Sequence, residues 1–370
     1  MIKFSPIIND LPSTVPFVGP EAQERQRNQK FLSRIGANES VFGPSPKVID
    51  EVKKFSSDIW MYADPESFDL KVALASHNNV KLENIVIGEG IDGLLGYLCR
   101  LFVNPNTNVV TSRGAYPTFN YHVTGFGGTI NLVPYKNDYE DIEGLLSETK
   151  KTKAKLIYLA NPDNPMGTFH SKSVIEDMVQ NLPEGALLCL DEAYSEFAPK
   201  NELADIDPKN PQVIRMRTFS KGYGMAGVRI GYAIGSKELI KSFDKIRNHF
   251  GINIIGQRTA LVALADQEYL QGVISSVSTA KKEIGIIAQD SGLSVVRSFA
   301  NFVAIDCGRD EVFAKLVLNA LIERNIFVRM PFFEPQNRCI RISAGKPADL
   351  RILANELPAA LKGLRINKHF

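Results

Sequence analysis

Lys221 has the surroundings of an amine nucleophile. It follows the strand that we predict over 213–218 and is flanked by the hydroxyl of Ser220 and by Gly222, so a tight turn would hold it. A lysine in such a turn can lose hydration, which lowers its pKa as amine nucleophiles require. Arg229 follows eight residues later, close enough to share one phosphate with Ser220. For this motif alone, a solvated loop lysine and a surface arginine are the alternative.

Asp191 is a second candidate, because it ends the wholly apolar strand that we predict over 186–190. A carboxylate there is partly buried and needs a cationic or hydrogen-bonding partner. The alternative is the N-cap of a helix, for which aspartate is a good residue. Tyr194 lies three residues further on and could contact the same ligand. Asn164 belongs to the turn 161–167, whose two Asn/Asp–Pro pairs are also compatible with a plain tight turn.

Three further residues point to anion or ring binding. Gly90 lies in a glycine-rich segment between a predicted strand and helix, where main-chain N–H groups form a ready anion site. The glycine spacing does not match the dinucleotide-binding fingerprint. Tyr116 follows another strand, where a packing tyrosine is the simpler interpretation. Arg341 stands inside the apolar strand 339–343, so it needs either an anionic ligand or a structural ion pair.

The elements that must position these residues are buried strands that alternate with helices. This pattern predicts a mostly parallel sheet covered on both faces, and open sheets of this kind bind ligands at the carboxyl ends of their strands. The predicted strands are 84–87, 108–111, 129–134, 155–159, 186–190, 213–218 and 227–234.

The pattern changes after residue 254. We predict one long helix over 257–280, followed by short strands and two helices. These elements predict a smaller α/β domain formed by residues 1–45 and 271–370, beside a large domain over 46–270. The predicted strands of this part are 293–296, 302–306, 326–329 and 339–343, and its helices are 311–323 and 348–361.

Composition excludes several classes of protein. With 370 residues the chain is long enough for two domains or one large α/β domain. Its 43 Lys and Arg against 41 Asp and Glu give a net charge of +2. This nearly balanced charge lacks the excess of basic residues that is typical of nucleic-acid-binding proteins. The four cysteines cannot form a disulfide framework, and we find no export signal or membrane-spanning segment. We therefore expect a cytoplasmic protein. We also predict no metal site.

Taken in order, these motifs resemble the fold-type I pyridoxal-phosphate (PLP) aminotransferases, and most closely their histidinol-phosphate aminotransferase branch. The segment 35–46, IGANESVFGPSP, is similar to the branch signature L-A-S-N-E-N-P-x-G-P-S-P, and 60–65, WMYADP, resembles its R-Y-P-D element. The intervals between Asn164, Asp191, Lys221 and Arg229 suit the family as well. The resemblance implies an α/β fold with a mostly parallel seven-stranded sheet plus a smaller α/β domain, PLP as cofactor, and a role in amino-acid biosynthesis.

The resemblance also assigns roles around the cofactor. Lys221 would form a Schiff base with PLP and later move a proton, while Asp191 would pair with the pyridine N–H. Asn164 and Tyr194 would hydrogen-bond the phenolic oxygen, and Tyr116 would stack on the ring. The phosphate would be bound by Ser220, by Arg229 and by the residues at the start of the predicted helix, Gly90, Ile91 and Asp92. Tyr62 from the other subunit of a homodimer would bind it as well.

On the substrate side, the resemblance assigns the α-carboxylate, or the phosphate of a substrate without a carboxylate, to Arg341. Asn38 would help to close the site, and Arg329 adds a second cation. Phe17 stands where the branch usually has a tyrosine near the substrate phosphate, so this chain lacks that hydroxyl. The expected substrates are small amino and keto acids, with histidinol phosphate or an aromatic or related amino acid as donor and 2-oxoglutarate as acceptor.

Two other functions on the same scaffold remain open at this point. A PLP-dependent decarboxylase of a phosphorylated amino acid, such as threonine phosphate, would use the same residues. A PLP-binding regulator would need an appended DNA-binding module, for which the chain has neither spare length nor a basic patch.

Overall fold

The computed structural model describes residues 4–9, 11 and 18–366. Phe17, one of the predicted substrate-binding residues, lies outside the described residues. None of the described helices is long and apolar enough to cross a membrane.

A seven-stranded sheet forms the centre of the larger part of the chain. The strands of the chain are β1 (Ser33–Arg34), β2 (Ile85–Gly88), β3 (Asn108–Ser112), β4 (Thr129–Val133), β5 (Leu156–Ala160), β6 (Leu187–Asp191), β7 (Val213–Thr218), β8 (Gly231–Ile234), β9 (Ser294–Val295), β10 (Phe302–Asp306), β11 (Ile326–Phe327) and β12 (Cys339–Ser343). The order in the seven-stranded sheet is β2-β8-β7-β6-β5-β3-β4, and six strands run in one direction while β8 is antiparallel to both of its neighbours. This confirms the predicted mostly parallel seven-stranded sheet.

Helices cover both faces of this sheet, so its inner strands are largely buried. Every residue of β5 and β6 is buried, as expected for parallel strands packed on two sides. The helices are α1 (Pro6–Asn9), α2 (Pro20–Arg27), α3 (Pro46–Phe55), α4 (Phe68–His77), α5 (Gly90–Phe102), α6 (Pro117–Gly125), α7 (Ile142–Thr152), α8 (Lys172–Gln180), α9 (Lys237–Phe243), α10 (Ile254–Ala265), α11 (Gln267–Asp290), α12 (Glu311–Glu323) and α13 (Pro347–Ile366).

The C-terminal part is built around the antiparallel sheet β12-β10-β9. The N-terminal strand β1 pairs in parallel with β11, with Ser33 opposite Ile326. Ile35 belongs to the same apolar core as residues from Val273 to Leu361. The beginning of the chain is therefore packed onto its C-terminal part.

Two predicted elements differ in the structure. The strand predicted over 227–234 begins only at Gly231, because Ala226–Val228 is a 3-10 turn and Arg229 has a φ of 57°. The single helix predicted over 257–280 is two helices that meet at Asp266. The Asp266 carboxylate accepts hydrogen bonds from Ser45 Oγ and Lys47 Nζ, and its backbone is not helical, with φ −98° and ψ 61°.

Candidate active site

A cavity of about 400 Å³ lies where β5, β6 and β7 end. This is the edge at which open parallel sheets bind ligands. The structure brings most of the predicted site residues together around it. Those that line the cavity are Asn38, Ile91, Asp92, Tyr116, Asn164, Asp191, Tyr194, Ser220, Lys221, Arg229, Arg329 and Arg341.

Lys221 follows β7 and projects its amine into the cavity. The Nζ atom donates to the main-chain oxygen of Asn38 over 3.1 Å and lies 5.6 Å from the centre of the Tyr194 ring. Desolvation in the cavity wall, and then the positive charge of Arg341, lower the pKa of Lys221 to about 8. At pH 7 roughly a tenth of this amine is therefore unprotonated, a far larger share than for an ordinary lysine, as a nucleophile requires.

Asp191, the last residue of β6, presents a buried carboxylate to the same cavity. Its Oδ1 accepts from the Ala193 N–H over 2.9 Å, and its Oδ2 accepts from the hydroxyl of Tyr158 over 2.7 Å. Burial raises the pKa of Asp191 to about 6, against the effect of these two bonds. Tyr158 was missed in the sequence, although a tyrosine in an otherwise aliphatic strand signals a buried hydroxyl that needs a partner.

A chain of hydrogen bonds connects the residues on the other side of Lys221. The hydroxyl of Tyr194 accepts from Asn38 Nδ2 over 3.0 Å and from Asn164 Nδ2 over 3.5 Å. Arg341 Nη1 donates to Asn164 Oδ1 over 2.5 Å. Arg341 Nε is buried and has no hydrogen-bond partner among the residues that the structure describes. A buried donor without a partner destabilises the folded protein, and an anionic ligand could accept a hydrogen bond from this Nε.

The start of α5 forms the third side of the cavity, where an anion would fit. Gly90 has a φ of 75°, and a Cβ at this position would lie 2.5 Å from Arg229 Nη2. Arg229 Nη1 donates to Ser220 Oγ over 3.4 Å. Arg229 Nη2 also lies 3.6 Å from Asp92 Oδ2, while Asp92 Oδ1 accepts from the hydroxyl of Tyr116. The main-chain N–H groups and an arginine therefore converge on one small space.

Arg329 and Tyr62 lie at the periphery. Arg329 forms a β-bridge with Arg341, lines the cavity, and donates to the main-chain oxygen of Val18 over 3.0 Å. The sequence did not single out its neighbours Phe332 and Phe333, which also line the cavity. Tyr62 is 81% exposed and does not line the cavity of its own chain. The centre of its ring lies 4.9 Å from the centre of the Phe250 ring. Within the described ranges, no group of acidic, histidine or cysteine side chains could hold a metal ion.

The sequence matches the family model "Aminotransferase class I and II" over residues 33–357. The chain belongs to this family. This aminotransferase is 32% identical over 359 residues to "Histidinol-phosphate aminotransferase 2" of Carboxydothermus hydrogenoformans, a match that covers 96% of this chain and 98% of that protein. Its predicted enzyme class, an aminotransferase similar to the histidinol-phosphate aminotransferases, is thereby confirmed.

Solved structures agree with this assignment of the aminotransferase. The crystal structure of histidinol-phosphate aminotransferase from Sinorhizobium meliloti, in complex with pyridoxal-5'-phosphate, superimposes with a TM-score of 0.95 at 50% identity, over 98% of this chain and 99% of that one. Aspartate aminotransferase from Thermus thermophilus with maleate reaches a TM-score of 0.81 at 21% identity, over 97% of this chain and 100% of that one. The second likeness concerns the fold alone.

Proposed function

We propose that this aminotransferase uses PLP, carried as a Schiff base on Lys221, to move an amino group to 2-oxoglutarate. The donor would be histidinol phosphate or an aromatic or related amino acid. One observation carries the proposal: the Lys221 amine, the Asp191 carboxylate and the anion pocket at Gly90 and Arg229 face a single cavity. These three groups match the aldehyde, the ring nitrogen and the phosphate of PLP.

When bound, PLP supplies an electron sink for the negative charge that develops on the substrate α-carbon. Asp191 would accept the ring N–H and keep that nitrogen protonated. Ser220, Arg229 and the N–H groups at the start of α5 would hold the phosphate, which the helix N-terminus favours. Tyr116, which lines the cavity beside Asp92, would stack on the ring.

Three residues would manage the protons of the reaction. Tyr194 and Asn164 already form a hydrogen-bonded pair and would both bond to the phenolic oxygen of the cofactor. Lys221, once displaced by the substrate amine, would move a proton between the substrate α-carbon and C4′ of the cofactor. Its lowered pKa suits this role, because a base near its pKa both accepts and releases a proton readily.

Two arginines would bind the substrate. The free Nε of Arg341 supports its role as the group that binds the α-carboxylate, or the phosphate of a donor without a carboxylate. Asn38, whose side chain contacts Tyr194, would close the site above it. Arg329, bridged to Arg341, offers a second positive charge for a donor with a second anionic group.

We also propose a homodimer in which Tyr62 completes the phosphate site of the other subunit. Large apolar side chains around Tyr62 are exposed in the single chain: Ile59 is 68% exposed, Trp60 79% and Phe250 56%. An exposed apolar surface of this kind is typical of an interface.

We further propose that the chain forms two domains, a large one over 46–270 and a smaller one formed by 1–45 and 271–370. The apolar core that Ile35 shares with the C-terminal part supports this division. The four cysteines are buried and unpaired, which suits the reducing cytoplasm.

The proposal is tested with the purified protein, PLP and glutamate, with imidazole-acetol phosphate or phenylpyruvate as acceptor. We expect a visible absorption band that glutamate bleaches and an acceptor restores, together with 2-oxoglutarate as product. Protein that binds no PLP, or that forms no 2-oxoglutarate with any keto acceptor, would contradict the proposal. Release of carbon dioxide from threonine phosphate without amino transfer would instead favour the decarboxylase.

A further inference from the structure

Tyr158, in the middle of β5, lines the cavity next to Asp191. Its hydroxyl donates to Asp191 Oδ2 over 2.7 Å, and both side chains are buried. The Tyr158 ring is stacked on Phe119, with 4.8 Å between ring centres and 18° between ring planes. This packing fixes the direction of the hydroxyl, so the bond to Asp191 is not one of several that Tyr158 could form.

The register of the sheet explains how Tyr158 reaches Asp191. On the neighbouring strands Tyr158 lies opposite Cys189, and Ala160 lies opposite Asp191. Residues that pair across parallel strands point to the same face, so Tyr158 and Asp191 share the face that leads to the cavity. Ala160 carries only a methyl group, which leaves room for the tyrosine hydroxyl beside the carboxylate.

The carboxylate of Asp191 needs such a donor to stay ionised. Burial disfavours the charged form, and the nearby carboxylates of Asp92 and Glu192 disfavour it further. The hydrogen bonds from Tyr158 and from the Ala193 N–H act in the opposite direction. Of these two donors, only Tyr158 is a side chain, and so only it is open to substitution.

We propose that Tyr158 is a positioning residue that keeps Asp191 ionised and directed at the ring nitrogen of the bound cofactor. This inference rests on the proposed function, in which Asp191 pairs with the ring N–H. Without the Tyr158 hydroxyl, Asp191 becomes a stronger base. The shared proton then moves to the carboxylate: the N–H bond breaks, an O–H bond forms, and both groups become neutral, which a buried site favours. A neutral ring is a weaker electron sink, so turnover falls.

The test compares the loaded wild-type enzyme with Tyr158→Phe, using PLP labelled with ¹⁵N in the ring. The substitution removes one oxygen atom and keeps the ring that stacks on Phe119. Tyr135→Phe is the matched control, because Tyr135 is also buried and its hydroxyl also donates over 2.7 Å to a buried carboxylate, that of Asp163. The readouts are the ¹⁵N chemical shift of the ring nitrogen, the affinity for PLP, and kcat and KM measured separately.

We expect wild type and Tyr135→Phe to show a protonated ring nitrogen and Tyr158→Phe to shift toward the unprotonated form. Its kcat should fall by about 3- to 30-fold with little change in KM, since the variant loses one hydrogen bond to the Asp191 carboxylate and keeps the one from the Ala193 N–H. Phe119→Leu, which keeps the hydroxyl but loosens the ring, should give a smaller shift of the same sign.

The outcomes separate the inference from the proposed function. An unprotonated ring nitrogen in the wild-type enzyme would contradict the pairing with Asp191, and thus the proposed function. A protonated nitrogen in both wild type and Tyr158→Phe would overturn the role of Tyr158 and leave the function standing. Equal shifts in Tyr158→Phe and Tyr135→Phe, or a larger shift in Phe119→Leu, would also overturn it, since they would indicate a general loss of packing.

Discussion

The amine of Lys221 donates to the main-chain oxygen of Asn38 over 3.1 Å. Lys221 follows the main sheet, whereas Asn38 belongs to the N-terminal segment that packs onto the C-terminal part of the chain. The same oxygen accepts from Asn301 Nδ2 over 3.1 Å, so it is held from the other side as well. The proposed nucleophile therefore directly contacts the half of the site that we propose to face the substrate.

The lowered pKa of Lys221 predicts the pH dependence of PLP capture by the apoenzyme. Since the pKa of this base is about 8, the amine is mostly charged below that pH and mostly neutral above it. The rate of capture should rise from pH 6 to about 8 and then level off, in stopped-flow absorbance. An ordinary lysine, with a pKa of about 10.4, would let the rate rise up to pH 10; such a profile would contradict the prediction.

Replacement of Lys221 should abolish the chemistry while the cofactor still binds. We expect Lys221→Ala to lose the visible band of the loaded enzyme and at least ~10³-fold in turnover, because its amine is both nucleophile and proton carrier. Lys281→Ala is the matched control: its Nζ donates to a main-chain oxygen, that of Ser298, and burial lowers its pKa to about 8. Loss of the band in both variants would refute the special role of Lys221.

Arg341 should affect substrate affinity more than turnover. Arg341→Gln should lower kcat/KM for glutamate by at least ~30-fold, since a buried charge loses its partner. Arg338→Gln is a suitable control, because Arg338 lies three residues away and is already paired with Asp138 and Asp306. A KM for glutamate that rises equally in both variants would exclude direct binding by Arg341.

The proposed contribution of Tyr62 across a dimer interface predicts complementation between two inactive variants. Tyr62→Ala should weaken PLP binding, and Lys221→Ala should be inactive. Mixed and reassociated, the two proteins form heterodimers in which one site combines an intact Lys221 with an intact Tyr62. The mixture should regain up to about a quarter of the wild-type activity, the fraction of sites restored. No recovery in heterodimers isolated with two different tags would place Tyr62 outside the partner's site.

Asp163 predicts how the stability of the apoenzyme depends on pH. Burial raises the pKa of this carboxyl to about 7 in the folded chain, far above that of an exposed aspartate. The folded state thus binds the proton more tightly, so this group stabilises the fold at low pH and loses that contribution as pH rises to about 7. Asp163→Asn should remove this contribution, so the melting temperature of the variant relative to that of the wild type should rise between pH 4 and 7. A melting profile identical to that of the wild type would contradict this.

Much of the large sheet could be predicted because its buried strands are apolar runs that end at polar residues. Asp191 was visible for this reason, because it ends the apolar strand β6. Lys221 was visible because it comes in a turn shortly after β7. The start of the strand predicted over 227–234 was wrong, because the residues before Gly231 alternate as in an extended segment. In the structure Arg229 lies in the left-handed region, and its side chain contacts Ser220 and Asp92. Local sequence does not contain those distant partners.

The break between α10 and α11 was missed for a similar reason. No glycine or proline marks it, and the helix ends because Asp266 is hydrogen-bonded by Ser45 and Lys47, more than two hundred residues earlier. Within the site, Tyr158 was overlooked because its hydroxyl meets Asp191 only once β5 and β6 are aligned. Contacts between strands and helices, rather than local preferences, account for what the sequence could not predict.

The pairing of β1 with β11 also sets an order of assembly during synthesis on the ribosome. Residues 33–34 emerge early, but their partners at 326–327 emerge about three hundred residues later. The main sheet is complete once Ile234 has left the exit tunnel, and domains fold as units as they emerge. We therefore expect the nascent chain to fix Asp191 and Lys221 first. Asn38 and Arg341 would join them only near the end of translation, so the half proposed to face the cofactor would form before the half proposed to face the substrate.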